Sequence, residues 1–357
     1  MKQSHALAYL RQICCSGLSR DIALTEFLRA VPMLIPSNSN TLTISEDGTC
    51  PCYHLAGFDL SDMADAIPDI VADYHKPDLQ QRAIAGFSQY PTINDPRVID
   101  SAFYQTDIYN LIFRRYDMHH LMCARVQLNA TSTGVIGLYR PSNQKPFDGR
   151  DQSKLLHVLP YLTHAYRAAN DVDFELSPDG NSGMLVMNTL GDILFQSPDA
   201  KRLLQKARYP RLLIDSRKQD RLLAKLAELC RNLQNIYLGR DAPPPSFIHA
   251  GPNGRFAFRG YWLDKSNEHT DGLIGVIVEH RQPLTLKILR AMRESPLSPT
   301  QREVTLLLAQ GLTLEQIRER LHIKQTTLKD HIGKIYLKLD IHQRDELLPK
   351  LLTLGHA

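Results

Sequence analysis

Two capping pairs near the end of this chain leave little freedom in what surrounds them. Ser298 is followed three residues later by Gln301, and Thr313 three residues later by Gln316. In each pair the hydroxyl accepts a bond from the third residue's N–H while the glutamine side chain reaches back, which marks a helix start. Pro299 suits a first helical position, and Gly311 can end a helix in the left-handed region. Val304, Leu307 and Leu308 face inward from the first of these helices, and Ile317 and Leu321 from the second. A third helix is predicted over Gln325 to Leu339, because Leu328, Ile332, Ile335 and Leu339 recur at helical spacing and define one buried stripe. Short helices with one apolar stripe each bury those stripes only against one another, so the pattern predicts a helix-turn-helix.

The other side of the third helix is basic. Lys329, Lys334 and Lys338 lie on it, Lys324 lies just before it, and Thr326 and Thr327 occupy its first turn. Such groups match the phosphates and base edges of a duplex groove. From Arg281 onward there are 13 Lys+Arg against 8 Asp+Glu, a net of +5, leaving 29 against 30 in the first 280 residues. The whole basic excess therefore lies at one end, which suits a polyanion there. One helix in a major groove makes few contacts, so affinity needs the sequence-independent phosphate attraction and a second protomer on a second half-site. The partners expected are double-stranded DNA, a second copy of the chain, and a small-molecule effector, with no membrane.

These residues resemble the four-helix LuxR-type helix-turn-helix. Its first-helix pattern stands here as Leu297-Ser298-Pro299 with Arg302-Glu303-Val304, and its third-helix pattern as Thr327-Leu328-Lys329-Asp330-His331 with Ile335-Tyr336-Leu337-Lys338-Leu339. The resemblance implies that Glu303 ties the first helix to the rest of the module and that Lys329, Asp330 and Gly333 point towards base edges. The chain departs from the pattern at Arg318, where the family usually has alanine, and at His322, where it usually has glycine. Asp330 puts a negative charge on the outer side, offset by Lys334 one turn later or used to accept from a cytosine amino group. Gly333 weakens a helix interior by about 1 kcal/mol relative to alanine, so close backbone approach to DNA is a reason for it. The DNA-binding candidates are thus Lys324, Thr326, Thr327, Lys329, Asp330, Gly333, Lys334 and Lys338.

A chain of 357 residues exceeds what one core usually supports. Pro/Gly/Asp clusters break it at Asp171 to Gly183, Gly239 to Pro245 and Glu294 to Pro299. The first part reads as one helical pattern from Leu7 to Leu28, strands Asn40 to Ser45 and Tyr53 to Phe58, helical patterns through Ala85 and around Phe103 to Phe113, runs Leu121 to Asn129 and Gly134 to Tyr139, and a long helix from about Asp148 to Asp171. The second reads as Met184 to Met187, Ile193 to Phe195, helices at 199–207 and 217–237, and runs Arg255 to Trp262 and Leu273 to Glu279, the last apolar enough for a central strand. The fold class expected is α+β, with two antiparallel-sheet domains and an all-α four-helix module.

The segment Tyr139-Arg140-Pro141, Pro146-Phe147-Asp148 and the helix through His164-Ala165 is similar to the end of GAF-like domains, and the run Leu273 to His280 leading into a linker helix resembles a PAS-like domain. The resemblances imply a GAF-like sensory domain at 1–172, a PAS-like domain at 182–280, a linker helix at 281–296 and the DNA-binding domain at 297–357. Both frames bind ligands or dimerise without naming a signal. An acyl-homoserine lactone pocket of the kind rich in tryptophan is disfavoured, since Trp262 stands alone.

No enzyme constellation emerges, and no cofactor or metal is expected. His119-His120 with Cys123 suggests a metal only if a third ligand joins, and neighbours on a helix point apart. Cys14, Cys15, Cys50, Cys52, Cys123 and Cys230 are sparse, which fits reduced thiols and a cytoplasmic protein, and Cys50-Pro51-Cys52 lacks a second ligand pair. The function expected is a sequence-specific transcriptional regulator. The alternative is a signalling adaptor whose drifted helix-turn-helix binds protein.

Overall fold

The computed structural model describes residues 3–46, 52–57, 92–93, 103–106, 109–168, 175–178, 180–208, 211–213, 221–263, 272–293 and 295–354. In chain order the first part contributes α1 (Gln3–Cys15), α2 (Arg20–Ala30), β1 (Ser39–Glu46), β2 (Cys52–Ala56), β3 (Thr92–Ile93), β4 (His120–Gln127), β5 (Ser132–Arg140) and α3 (Gly149–Tyr166). Next come β6 (Asn181–Met187), β7 (Ile193–Gln196), α4 (Pro198–Arg208), β8 (Arg211–Leu213), α5 (Arg221–Tyr237), β9 (Ser246–Gly251), β10 (Gly254–Leu263) and β11 (Leu273–Arg281). The chain ends in α6 (Leu284–Arg293), α7 (Pro299–Ala309), α8 (Leu314–Leu321), α9 (Gln325–Leu339) and α10 (Leu347–Leu354). The fold is α+β, with two antiparallel sheets and a helical C-terminal module.

The first sheet runs β3-β4-β5-β1-β2-β8. Its register sets Leu42 opposite Ile136 and Ile136 opposite Ala124, so these three share one face, which α1, α2 and α3 cover. The single helix predicted from Leu7 to Leu28 is two helices, because Gly17 takes φ +77° and breaks the run. Around Phe103 to Phe113 the described residues form a 3₁₀ turn and a short π segment in place of a regular helix. The helical patterns expected between Phe58 and Ala85 lie outside the described residues, as do Cys50 and Pro51 of the Cys50-Pro51-Cys52 motif.

The Arg-Pro turn that closes this sheet is held by one side chain. Arg140 donates through Nε to the Pro36 carbonyl (2.7 Å), through Nη1 to the carbonyls of Lys145 (3.1 Å) and Pro146 (3.2 Å), and through Nη2 to Asp151 (2.9 Å). Its guanidinium lies 3.9 Å from the Phe147 ring centroid. Asp151 is also the third residue of α3, where it completes a capping box with Asp148.

The second sheet runs β7-β6-β11-β10-β9, with β11 central as its apolar composition predicts. Leu185, Met187, Phe256, Phe258, Ile274, Val276 and Val278 face α4 and α5, which return Leu203, Leu226, Leu229 and Cys230. The opposite face leaves Phe195, Met184, Ile248 and Tyr261 exposed. Three strands were not foreseen: the two-residue β3 of the first sheet, β8 and β9. β9 follows a Pro-rich stretch that reads as loop, and β8 leaves the second unit to pair with β2 of the first sheet.

The module packs Val304, Leu307, Leu308, Ile317, Leu328, Ile335, Leu339, Leu347 and Leu351 into a core continuous with that of the first sheet through α1 and α6. In α6, Leu286, Ile288, Leu289 and Met292 are each almost fully buried, so the connector is part of the packing. No described helix is long and apolar enough to cross a membrane.

Removing the carboxylate of Asp151 leaves the buried Arg140 without its anion, so Asp151→Ala is expected to lower unfolding stability by about 3 kcal/mol, read from the denaturant midpoint.

Candidate nucleic-acid interface

Both predicted capping boxes form. Ser298 N–H donates to Gln301 Oε1 (2.9 Å) and Gln301 N–H to Ser298 Oγ (3.4 Å), and Thr313 N–H donates to Gln316 Oε1 (2.8 Å) and Gln316 N–H to Thr313 Oγ1 (3.2 Å). After α7, Gly311 sits at φ +84°, with Gly311 N–H bonded to the Leu308 carbonyl and Leu312 N–H to that of Leu307. This double bond pattern is a Schellman termination. α8 ends the same way, with His322 N–H to Glu319 and Ile323 N–H to Arg318, but here the left-handed residue is His322 at φ 51°. Histidine therefore takes over the glycine's geometry, at some conformational cost. Arg318 is absorbed by an ion pair with Glu315 one turn earlier, away from the packing between helices.

These two terminations aim α9. It spans Gln325–Leu339 as predicted and buries Leu328, Ile335 and Leu339, with Ile332 half-buried. Everything proposed for DNA lies on its outer side: Lys324, Thr326, Thr327, Lys329, Asp330, Gly333, Lys334 and Lys338 are all exposed. By helical periodicity Thr326, Lys329, Asp330 and Gly333 share one line, and Thr327, Lys334 and Lys338 flank it. Lys334 Nζ donates to Asp330 Oδ2 (2.7 Å), so the acidic residue is neutralised within the helix. Lys324 and Lys329 make no hydrogen bond or ion pair with another described residue. Lys324 also stands at the N-cap without a side-chain cap, which leaves first-turn N–H groups for a phosphate. A Cβ on Gly333 would meet nothing within 4 Å among the described residues, so no packing among them accounts for the glycine.

Lys338 is placed differently from the rest. Its ammonium donates to the Pro296 carbonyl (2.9 Å) and to Gln301 Oε1 (2.9 Å), tying the end of α9 to the start of α7. The tie expected of Glu303 is made by its neighbour. Glu303 pairs outward with Arg11 of α1 (3.7 Å), while Arg302, 1% exposed, donates Nη2 to the carbonyls of Arg293 and Ser295 (both 3.2 Å). Arg344 likewise donates to the carbonyls of Leu308 and Leu312 (both 2.8 Å). Nothing in the spacing of Arg302 or Arg344 distinguishes them from surface arginines.

Elsewhere, His119 and His120 are not on a helix. His119 precedes β4 and His120 begins it, with ring centroids 4.8 Å apart. His119 Nδ1 and the Tyr109 hydroxyl share a 2.8 Å hydrogen bond. Burial pushes the Cys123 thiol up to about 12. No group of three metal-binding side chains converges among the described residues.

The interface is thus one exposed, cationic helix held by a preceding helix and turn, the geometry of a helix-turn-helix DNA-binding protein. Residues 295–350 match the family described as bacterial regulatory proteins, luxR family. The C-terminal module therefore belongs to a DNA-binding domain family of LuxR type. Comparison with curated proteins gave no match. Among solved structures, the VqsR LBD domain from Pseudomonas aeruginosa is 16% identical, covering 42% of this chain and 90% of that one with a TM-score of 0.31. A VqmA–ligand–DNA complex from Vibrio cholerae is 19% identical, covering 50% and 85% with a TM-score of 0.24. Likenesses this slight carry no function to the present chain.

Because Gly333 has open space and costs helix stability, Gly333→Ala is expected to stabilise the module by up to about 1 kcal/mol in thermal unfolding while weakening DNA binding. Unchanged DNA affinity would remove Gly333 from the interface.

Proposed function

We propose that the protein is a sequence-specific, non-enzymatic transcriptional regulator that acts in the cytoplasm as a homodimer. The exposed row on α9 carries this reading, since its unengaged Lys324 and Lys329, its two threonines and an open glycine stand together on a helix whose other side is locked into the core. Lys329, Asp330 and Gly333 face base edges, and Lys324, Thr326, Thr327, Lys334 and Lys338 face backbone phosphates and sugars. The regions 1–172 and 182–280 serve as GAF-like and PAS-like sensory domains for a small molecule, and 281–296 connects them to the module at 297–357.

Dimerisation supplies the second half-site contact that a single helix needs. The exposed face of the second sheet suits a second copy. It joins Phe195, Met184 and Tyr261 to an Arg259–Glu279 pair (3.6 Å), a patch carrying both charges and therefore complementary to itself about a two-fold axis.

Titrating the protein against random-sequence duplex at several salt concentrations tests the reading. Affinity is expected to fall steeply and linearly on logarithmic axes, and salt-independent or absent binding would sink it. With a duplex selected from genomic fragments, Lys329→Ala is expected to cost about 1 to 3 kcal/mol on the preferred site alone. Lys338→Ala weakens preferred and random duplex alike, because it removes a cation and the tie between α9 and α7.

A further inference from the structure

A buried carboxylate lies where the first sheet's helices, the second sheet and the connector α6 meet. Glu26, on α2, is 3% exposed. Arg290 of α6 grips both its oxygens, with Nη2 to Oε2 at 2.6 Å and Nε to Oε1 at 3.1 Å. The Tyr9 hydroxyl of α1 donates to Oε1 (3.2 Å). Burial alone would push the carboxyl's pKa up, but Arg290 and Arg29 together hold it below its ordinary value.

Arg29 carries the network into the second domain. Its Nη1 lies 3.8 Å from Glu26 Oε2, and its Nη2 donates to Asn253 Oδ1 (2.7 Å) in the turn between β9 and β10. Asn253 is itself fixed to that domain from two sides. Its Nδ2 donates to the Lys206 carbonyl (2.7 Å), and its own carbonyl accepts from His280 Nε2 (2.8 Å). In the other direction Arg290 sits one turn before Arg293, whose carbonyl the buried Arg302 of α7 holds. Hydrogen bonds and one ion pair, relayed across a turn of α6 by its backbone, therefore join the β9–β10 turn to the first helix of the DNA-binding module.

The direct contact between α1 and α7 is weaker. Its polar link is the half-exposed Arg11–Glu303 pair, and each helix also carries a buried polar side chain, Gln12 on α1 and Thr305 on α7, with no hydrogen-bond partner among the described residues. Unsatisfied buried groups weaken this contact, and its apolar part selects poorly among neighbouring orientations, so the angle of docking falls to the charge pair.

We propose that Glu26 is a positioning residue for DNA recognition: clasped between Arg290 and Arg29, its carboxylate fixes the attitude of α6, and so of α9, and passes on any displacement of the β9–β10 turn. Its consequence for DNA rests on the DNA-binding reading, but its geometry does not.

Two measurements on the full chain test it. Glu26→Gln and Arg290→Gln should each speed trypsin cleavage after Lys287, a site intact in both, by about tenfold, because the connector is loosened. Each should also weaken binding to a selected two-half-site duplex by about tenfold and leave random duplex within about twofold, since the module stays folded while its attitude is lost. The double variant Glu26→Gln/Arg290→Gln should lie closer to wild type than either single, because no isolated charge remains buried. Unchanged cleavage, equal losses on both duplexes, or additive effects in the double variant would each overturn the proposal. If the wild type bound no duplex, the DNA-binding reading would fall, and the cleavage rates would still decide whether Glu26 clasps the connector.

Discussion

The apolar underside of α9 governs what its outer side can do. Leu328, Ile335 and Leu339 are pinned against α7 and α8, and a helix held along one stripe has no freedom to roll about its axis. The two Schellman terminations then set where the helix begins, and Lys338 fastens its far end to α7. The cationic row is therefore presented in one orientation without help from DNA. Rotating the stripe by one residue would turn Lys329 inward and expose leucine in its place, so the interface follows from core packing.

The module is not a bead on a flexible string. Its core continues through α6 and α1 into the first domain, and a buried ion cluster crosses the same boundary. Apolar contact of this kind resists separation but discriminates poorly between neighbouring orientations, whereas paired hydrogen bonds from a guanidinium to a carboxylate fix an angle. The two kinds of contact divide the work: the shared core keeps the module docked, and Glu26 with Arg290 chooses how.

Much of the module was legible in the sequence, because its signals are local. A capping box is complete within four residues, and the bounds of α9 follow from a leucine/isoleucine spacing that no other structure satisfies. The central strand β11 was equally plain from its apolar run. What stayed hidden depends on partners far away along the chain. β8 is three residues whose pairing with β2 no local pattern announces, and Glu26 reads as an ordinary helix-surface glutamate until Arg290 closes on it. That Lys338 also ties α9 to α7 was equally hidden, because periodicity reports which side of a helix a residue occupies but not what lies beside it. The histidine pair was misplaced on a helix because two adjacent polar residues carry no period at all.

The central claim is that a single pre-aimed helix meets the duplex. Amide hydrogen exchange of the full chain, with and without a selected duplex, tests this most directly. The account predicts added protection concentrated in residues 324–334, with the buried end of α9 already protected in the free protein. Protection that falls on the exposed face of the second sheet, or on α10 alone, while 324–334 exchanges unchanged, would contradict it.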